Sequence, residues 1–136
     1  GRDGRHPGLP HMDQAEIEPL SEYIADVIRV YDGDTLTAKV ALWPSLTVTT
    51  SVRLLGVDTP ELRSKHACEK VLAKAARAAA IAWIAGRPVT LRNVSHGKYA
   101  GRVLAEVWIN GKRLAHHMID TGHGRTYHGG KREKWC

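Results

Sequence analysis

Apolar and polar residues alternate over much of the chain after residue 20, and this period of two is typical of half-buried β-strands. The pattern predicts one strand from Ser21 to Tyr31 and a second from Asp34 to Leu42. Asp32-Gly33 lies between them and is a strong hairpin signal, because glycine accepts the positive φ that a primed turn demands. A third strand is predicted from Leu46 to Val57, with Gly56 marking a bend or bulge near its end.

The spacing of apolar residues then becomes helical. The alanine-rich segment from Glu69 to Ala85 predicts the longest helix, with Gly86 as its C-terminal cap. Pro88 to Val94 and Val103 to Ile109 are predicted strands, and a short helix is predicted from Lys112 or Arg113 to Thr121. This order predicts an α+β, mainly β, fold: a five-stranded OB-fold barrel with one long helix between strands three and four and a short second helix.

Composition adds a positive charge to this picture. The chain has 136 residues, a formal net charge of +6 and a pI near 9.6. The length suits one domain with a real core, and the charge favours a polyanionic partner without specifying it. No apolar run approaches the roughly 20 residues that span a bilayer, which argues against a membrane-spanning protein. Residues 1–18 are interpreted as a disordered leader or expression remnant, the alternative being a natural flexible tail, and 19–136 as the folded domain.

Carboxylates crowd the stretch from Asp32 to Glu61, which is otherwise mostly apolar strand. Burying a carboxylate without partners costs several kcal/mol, so the cluster predicts a site that a positive group must neutralise. Asp34, Asp58 and the carbonyl and hydroxyl oxygens of Thr59 are hard donors, which suit Ca²⁺ or Mg²⁺ better than zinc. The alternative is that Asp32 and Asp34 are turn residues, a position that aspartate favours.

Basic residues accompany the carboxylates. Arg53 and Glu61 form either a surface ion pair worth less than about 1 kcal/mol, or an arginine fork for phosphate beside a carboxylate that takes a proton from water. A further basic segment is Lys98-Tyr99-Ala100-Gly101-Arg102. It is either an ordinary turn with charged residues on both sides, or it places a second arginine beside Arg53 at the phosphate. A second guanidinium would be useful, because a pentacoordinate phosphate carries more charge than one arginine offsets.

Together these blocks resemble the staphylococcal nuclease (thermonuclease) family. The resemblance rests on Asp32-Gly33-Asp34-Thr35, on Arg53-Leu54-Leu55-Gly56-Val57-Asp58-Thr59-Pro60-Glu61 and on Tyr99-Ala100-Gly101-Arg102, and it extends from about Tyr23 to Tyr127. It implies an OB barrel, a Ca²⁺-dependent phosphodiesterase, and both DNA and RNA as substrates. In the family picture, activated water attacks in line and the 5′ oxygen leaves, which gives 3′-phosphate ends.

The resemblance also implies a role for each matching residue. The implied calcium ligands are Asp34, Asp58 and, through its carbonyl oxygen, Thr59. The implied catalytic residues are Arg53, Arg102 and the general base Glu61. The implied substrate contacts are Lys98, Tyr99 and Tyr127.

The chain departs from the family pattern at three places. Ala100 adds one residue to the usual Lys-Tyr-Gly-Arg, which alters the reach of Lys98 and Tyr99. Gly122-His123-Gly124 replaces the more usual Gly-Leu-Ala. A short tail from Gly129 to Cys136 stands where the type member has a third helix, and this ending resembles the bacterial, phage and plasmid branch of the family.

Cys68 and Cys136 are the two cysteines of the chain. A disulfide between them would fasten the tail to the barrel, but on sequence alone they are as readily two unrelated thiols. A disulfide would predict an exported protein, secreted or periplasmic, whose signal peptide preceded this sequence. We also expect a monomer.

The main alternative function is a non-catalytic nucleic-acid-binding module of the same barrel fold. Such modules in the family tend to lose the arginines, the glutamate or the metal carboxylates, and all of these are present here. A protein-interaction scaffold has no positive feature in the sequence to support it. The residues therefore favour a nuclease and leave its preference for DNA or RNA open.

Overall fold

The computed structural model describes residues 22–98 and 101–136. In chain order its elements are β1 (Glu22–Asp32), β2 (Thr35–Trp43), β3 (Leu46–Leu54), β4 (Val57–Asp58), α1 (Ala67–Ile84), β5 (Val89–His96), β6 (Arg102–Ile109), β7 (Lys112–Arg113), α2 (Leu114–Asp120) and β8 (Arg125–Thr126). The proposed leader and the first residue of the predicted first strand lie outside the described residues, so the predicted domain boundary stays a prediction.

The sheet closes on itself as a barrel. Strands lie in the order β3-β2-β1-β5-β6, and β6 returns to pair with β3. All of these pairings are antiparallel except β3 with β6, which is parallel and runs from Ser51 opposite Arg102 to Leu54 opposite Ala105. The result is a closed, mixed, mainly β barrel with two helices, which confirms the predicted fold class.

One long strand makes this closure possible. β1 pairs with β2 along most of its length and with β5 through its first residues, Glu22 to Ala25. Register shifts in its pairing with β2 fall between Val27 and Arg29 and between Val30 and Asp32. Such irregularities bend a strand and increase its twist, so β1 can serve both sides of the barrel.

The core lies inside the barrel and under both helices. Its largest fully buried apolar side chains are Leu36, Leu91, Leu114, Met118, Val52, Val57, Val89 and Val107. Helix α1 buries Ala73, Ala76 and Ala80 on one face, and these small side chains let the helix backbone lie close to the sheet. The barrel and helices thus share one continuous core.

The predicted third strand was too long. β3 ends at Leu54, and a turn at Leu55 and Gly56 separates it from β4, which pairs with β8 instead. Gly56 has a φ of 84°, in the left-handed region, so the prediction of a bend at this glycine is confirmed. Apolar residues continue through the turn, and for that reason the pattern alone did not reveal the break.

The first hairpin is confirmed, but its two-residue turn is Gly33-Asp34 rather than Asp32-Gly33, because Asp32 is the last residue of β1 and pairs with Thr35. The predicted reason for its glycine is wrong, because Gly33 does not have a positive φ. A Cβ on Gly33 would lie 2.8 Å from Met118 Cε and 3.1 Å from Ala76 Cβ. Glycine is therefore needed because α1 and α2 approach this turn closely.

Helix boundaries also differ slightly from the predictions. α1 begins at Ala67, and its left-handed C-cap is Ala85, with a φ of 49°, rather than Gly86. The residues before α2 pair with β6 as a short strand across the Asn110-Gly111 turn, so the second helix begins only at Leu114. Both differences are local and leave the order of elements as predicted.

The cysteines are joined to each other. Cys68, in the first turn of α1, forms a disulfide with Cys136, and their Cα atoms are 6.3 Å apart. This resolves the alternative left open by the sequence in favour of the bridge. Within residues 22–98 and 101–136, no helix is long and apolar enough to cross a membrane.

Candidate active site

A polar cleft of about 600 Å³ opens beside the β1–β2 turn. Its lining residues are Asp32, Asp34, Thr35, Ser51, Arg53, Glu61, Arg63, Lys98, Arg102, Leu104, Tyr127 and Arg132. These residues come from five separate parts of the chain. The cleft, called the site cleft below, contains most of the residues to which the sequence assigned a role.

Strand register explains why the two predicted arginines meet. Thr35 of β2 lies opposite Arg53 of β3, which brings the Asp34 end of β2 next to Arg53. On the other side of β3, Arg102 lies opposite Ser51, two residues before Arg53. Residues two apart on a strand share a face, so Arg53 and Arg102 both face the site cleft.

Arg53 is held by the two predicted metal aspartates. Its Nη1 lies 3.2 Å from Asp34 Oδ2 and its Nη2 lies 3.7 Å from Asp58 Oδ1. Nη1 also donates a hydrogen bond of 2.9 Å to the carbonyl oxygen of Val57. The guanidinium lies 5.9 Å from the centre of the Tyr127 ring, within cation–π range. Arg53 is therefore fixed in orientation before any ligand arrives.

A hydrogen bond joins the Asp32–Thr35 and Arg53–Glu61 sequence blocks across the barrel end. The Thr59 amide donates to Asp34 Oδ2 at 2.9 Å, and the Thr35 hydroxyl donates to Asp34 Oδ1 at 2.9 Å. Asp34 and Asp58 are each only 4% exposed, and Thr59 is fully buried. The Asp34 and Asp58 segments are thus joined beneath the cleft, although Asp34 lies in the turn before β2 and Asp58 lies in β4.

The donor atoms here fit a hard divalent cation in their chemistry. Asp34 and Asp58 supply buried carboxylate oxygens, and Thr59 Oγ1 is a buried oxygen without a hydrogen-bond partner among the described residues. No cluster of three or more His, Cys, Asp or Glu side chains in the described part of the chain could hold a metal. A cation here would therefore depend on a backbone carbonyl and water beside the two carboxylates.

Glu61 lines the site cleft at its edge. Its side chain is 37% exposed, and its Oε1 lies 2.9 Å from Arg132 Nη1. Its backbone amide donates a hydrogen bond of 2.9 Å to Glu69 Oε2, from the first turn of α1. Burial opposes ionisation of Glu69, but the Glu61 amide, the Ser64 hydroxyl and Arg132 outweigh it and lower the pKa of Glu69.

Asp32 occupies an outer position. Its Oδ1 accepts a hydrogen bond of 3.0 Å from the Leu62 amide, so it ties the first hairpin to the loop after Glu61. Burial raises the pKa of Asp32, the Leu62 amide opposes that rise, and the charges of Asp34 and Glu61 add to it. Asp32 is therefore the last residue of β1 rather than a turn residue, and it supports the site through the loop after Glu61.

The predicted substrate residues are only partly brought together. Arg102 Nη2 donates a hydrogen bond of 3.3 Å to the Thr35 hydroxyl, and Lys98 and Tyr127 also line the cleft. The Tyr127 hydroxyl donates a hydrogen bond of 2.6 Å to the carbonyl oxygen of Gly130. Tyr99 and Ala100 lie outside the described residues, so the effect of the additional alanine on the reach of Tyr99 stays a prediction.

Sequence reasoning missed Arg132. Its Nε donates to Asp58 Oδ1 at 2.8 Å, its Nη2 donates to the Thr59 carbonyl at 3.2 Å, and its Nη1 pairs with Glu61. Burial disfavours the charged guanidinium, but Asp58, Glu61 and Glu69 together raise the pKa of Arg132. The available signal was Cys136, because a bridge from Cys136 to Cys68 would carry this part of the tail to the start of α1, beside Glu69.

Comparison with known proteins provides one finding. A sequence model of the staphylococcal nuclease homologue family matches residues 51–134, more than half of the chain. The match includes Arg53, Asp58, Glu61, Arg102 and Arg132, whereas Asp34 lies before it. No curated protein sequence matches the chain.

Proposed function

The chain belongs to the staphylococcal nuclease homologue family, and from that premise we propose that it hydrolyses phosphodiester bonds of nucleic acids in the site cleft. One observation carries the proposal: two arginines from neighbouring strands and the carboxylate of Glu61 line the same cleft, above two buried aspartates. This combination offers charge for a phosphate, a proton acceptor for water and oxygen donors for a cation.

The arginines bind and orient the phosphate. Arg53 is aligned by Asp34, Asp58 and the Val57 carbonyl, so little of its rotamer freedom remains to be lost on binding. Arg102 makes a single long hydrogen bond to Thr35, and its buried Nε has no partner among the described residues. A phosphate oxygen would complete the hydrogen bonding of Arg102, which makes it the better candidate for stabilising charge in the transition state.

Glu61 acts as the general base. Its partly exposed carboxylate stands at the edge of the cleft, within reach of water and beside the phosphate position defined by the arginines. Its backbone is held by Glu69, so the carboxylate is carried on an anchored loop. Glu61 takes a proton from the attacking water, and the expected products carry 3′-phosphate and 5′-hydroxyl ends.

Asp34, Asp58 and the Thr59 carbonyl would hold Ca²⁺. When bound, the ion supplies positive charge that offsets the aspartates and polarises a phosphate oxygen. The buried and unpartnered Thr59 hydroxyl supports this assignment, because it marks unused polar capacity at the same place.

Magnitudes support this division of roles. Enzymes lower barriers by about 8–23 kcal/mol, and slow reactions such as phosphodiester hydrolysis need the upper part of that range. A general base contributes only about 10²–10⁴-fold, or roughly 3–5 kcal/mol. Most of the acceleration must therefore come from the arginines and the cation, which agrees with how many charged groups converge on the cleft.

A second groove extends the site. It holds about 580 Å³, shares Arg53, Leu104 and Tyr127 with the site cleft, and has a more apolar lining that includes Leu54 and Leu55. A flexible nucleic-acid strand has both phosphates and apolar base faces. The groove therefore offers a surface for the part of the strand next to the phosphate that is cleaved.

Export and a monomeric state belong to the same proposal. Disulfides persist in oxidising compartments, so the Cys68–Cys136 bridge supports a secreted or periplasmic protein. A free-thiol count on unreduced, denatured protein from its natural host should be zero. Size-exclusion chromatography with light scattering should give the mass of one chain, and a larger mass would contradict the monomer.

The decisive experiment is incubation of plasmid DNA and of RNA with the protein, in Ca²⁺ and in EGTA. We expect cleavage in Ca²⁺ and none in EGTA. Polynucleotide kinase should label the fragments without prior phosphatase treatment, because their 5′ ends carry hydroxyl groups. Binding of both nucleic acids without any cleavage would instead favour the non-catalytic OB-fold module.

A further inference from the structure

The C-terminal tail, Gly129 to Cys136, lies across the site rather than away from it. Arg132 contacts Asp58 Oδ1 at 2.8 Å, the Thr59 carbonyl at 3.2 Å and Glu61 Oε1 at 2.9 Å. Its Nη2 is also 3.7 Å from Glu69 Oε2. One guanidinium thus contacts the buried aspartate, the backbone carbonyl and the proposed base at the same time. An exposed arginine at the edge of the cleft would not make all three contacts.

The tail is fastened on both sides of Arg132. Before it, β8 pairs with β4, with Asp58 opposite Arg125. After it, Cys136 is bonded to Cys68, and the Trp135 ring packs 3.8 Å from the Arg125 guanidinium. Only a few residues separate β8 from Cys136, and both ends of this segment are attached to the rest of the protein. Arg132 therefore has a high effective concentration beside Asp58.

This arrangement conflicts with cation binding at the same oxygens. Two of the three proposed ligand groups, the Asp58 carboxylate (through Oδ1) and the Thr59 carbonyl, already accept hydrogen bonds from Arg132. A divalent cation on those oxygens would lie beside a guanidinium of like charge in a poorly solvated place, where the repulsion is strong. Both groups cannot keep their best geometry, so one of them has to give way.

We propose that Arg132 is an intramolecular competitor of the divalent cation, and that the disulfide-anchored tail maintains it at the site. In the cation-free protein, Arg132 neutralises Asp58 and Glu61. Binding of the cation displaces it from Asp58 and Thr59 while the tail stays attached through Cys136. The inference rests on the proposed cation site but not on catalysis, and it makes the tail a determinant of cation affinity.

Calcium binding measured by isothermal titration calorimetry tests the competition directly. With CaCl₂ as the probe and no nucleic acid present, Arg132→Gln should bind calcium roughly ten- to one-hundredfold more tightly than wild type. The size follows from the charge-assisted hydrogen bonds that the cation no longer has to break. Arg132→Lys keeps the charge but loses the fork, so its affinity should fall between the two.

A matched control separates competition from simple loss of charge. Lys131 is the exposed neighbour of Arg132 in the tail. Lys131→Gln removes the same charge, and we expect it to change the calcium affinity by less than about threefold. If Lys131→Gln and Arg132→Gln tighten binding equally, or if Arg132→Lys binds as wild type does, charge alone explains the effect and competition is refuted.

The anchor makes a second, independent expectation. The Cys68→Ser/Cys136→Ser double variant keeps Arg132 but lowers its effective concentration, so calcium should bind several-fold more tightly than to wild type. Circular dichroism and thermal unfolding in EDTA establish that each variant is folded. Unchanged affinity in both Arg132→Gln and the cysteine variant would overturn the proposal, and weaker binding would mean that Arg132 supports the cation site instead.

The outcome is independent of the nuclease assay. If Arg132→Gln binds calcium more tightly but neither the wild type nor any variant cleaves nucleic acid, the competition by Arg132 is supported and the proposed nuclease activity is refuted. If the wild type cleaves nucleic acid and all variants bind calcium with equal affinity, the nuclease activity is supported and the competition by Arg132 is refuted. No detectable calcium binding by wild type or by Arg132→Gln would refute the competitor and the calcium site together.

Discussion

Arg53 and Arg102 reach the site cleft from neighbouring strands, but they are held in different ways. Arg53 pairs with Asp34 and Asp58, both almost fully buried, whereas the Arg102 guanidinium, among the described residues, donates a hydrogen bond to the hydroxyl group of Thr35. Removing Arg53 would leave the buried Asp34 carboxylate without its charged partner, whereas Asp58 would keep Arg132, and an unpaired buried charge is costly to folding. Removing Arg102 leaves no buried charge without a partner, because Arg102 bonds to a neutral hydroxyl group. Its loss should therefore lower the activity rather than the stability of the fold.

Substitution of the arginines should therefore separate activity from stability. We expect Arg102→Ala to lower kcat about 10²–10³-fold with little change in the unfolding midpoint. Arg53→Ala should lower activity and also destabilise the protein by about 3–5 kcal/mol in EDTA. Nuclease kinetics and urea unfolding of both variants check this, and equal stability of the two variants would show that Arg53 is not holding the aspartates.

Glu61→Gln tests the proton acceptor. The amide is close to isosteric but cannot take a proton from water, so kcat should fall about 10²–10⁴-fold. The Glu61 amide bond to Glu69 involves the backbone and is unaffected by the substitution. Measurement of kcat at saturating DNA gives the answer, with circular dichroism as the control for folding. Near-normal kcat would assign the proton transfer to another group.

Asp32 offers a test of electrostatics at one residue. Burial raises the pKa of Asp32 in the folded state, and the negative charges of Asp34 and Glu61 raise it further. The hydrogen bond from the Leu62 amide acts in the opposite direction and lowers it. A carboxyl group with a raised pKa favours folding below its unfolded pKa, and that contribution is lost as the pH rises through its folded pKa. At neutral pH the wild type therefore carries an unfavourable charge at this position.

Asp32→Asn should consequently raise the melting temperature at neutral pH in EDTA. An asparagine oxygen can still accept the Leu62 hydrogen bond, so the structural link is retained. The difference from wild type should shrink as the pH falls below the unfolded pKa of aspartate, where the wild-type carboxyl is protonated in both states. Thermal unfolding at several pH values tests this, and a gain that is independent of pH would rule out the charge as its cause.

At the scale of elements, α1 and α2 converge on the first hairpin. Gly33 lies where Ala76 of α1, Met118 of α2 and Thr59 come within 3.1 Å or less of the position of a Cβ. The same contact region joins the barrel core to the loop that carries the proposed metal oxygens. A bulkier residue in this hairpin must therefore push either a helix or the Thr59 segment.

Gly33→Ala should destabilise the fold by about 1–3 kcal/mol, because the added methyl overpacks a closed space. The nearest atom is the flexible end of Met118, whereas Ala76 Cβ and Thr59 Cγ2 have less freedom to move. Urea unfolding of Gly33→Ala, Met118→Ala and the double variant forms a double-mutant cycle. Overpacking predicts a double variant more stable than the sum of the single changes, and simple additivity would contradict it.

At the scale of the whole molecule, the Cys68–Cys136 bridge connects two parts of the chain 68 residues apart and closes the C-terminus onto α1. The barrel contains an extensive core without the tail, so the bridge is not needed to bury it. Its effect is to reduce the freedom of the unfolded chain and to retain the tail beside the site.

Loss of the bridge should therefore weaken the fold without abolishing it. In EDTA, Cys68→Ser/Cys136→Ser should lower the free energy of unfolding by about 2–4 kcal/mol, as expected for a long closed loop. Guanidinium unfolding of oxidised wild type and the variant gives the difference. An unchanged unfolding midpoint would mean that the tail is held by its other contacts alone, such as the pairing of β4 with β8.

The sequence by itself determined the barrel, the order of its strands and helices, and half of the twelve residues that line the site cleft. Alternation, alanine-rich helical spacing and turn residues are local signals, and each is readable over a few neighbouring positions. The resemblance to the family rests on short motifs of the same kind. For that reason the sequence alone identifies Asp34, Arg53, Asp58, Glu61 and Arg102 as candidate site residues.

Only the tertiary structure decided what surrounds those residues. The contact of Arg132 with Asp58 joins positions 74 apart, and the packing of Gly33 depends on two helices that follow much later in the chain. No local periodicity records such pairings, because they arise from how the closed barrel and its disulfide bring distant segments together. Physical proximity, rather than residue type, made Arg132 part of the site.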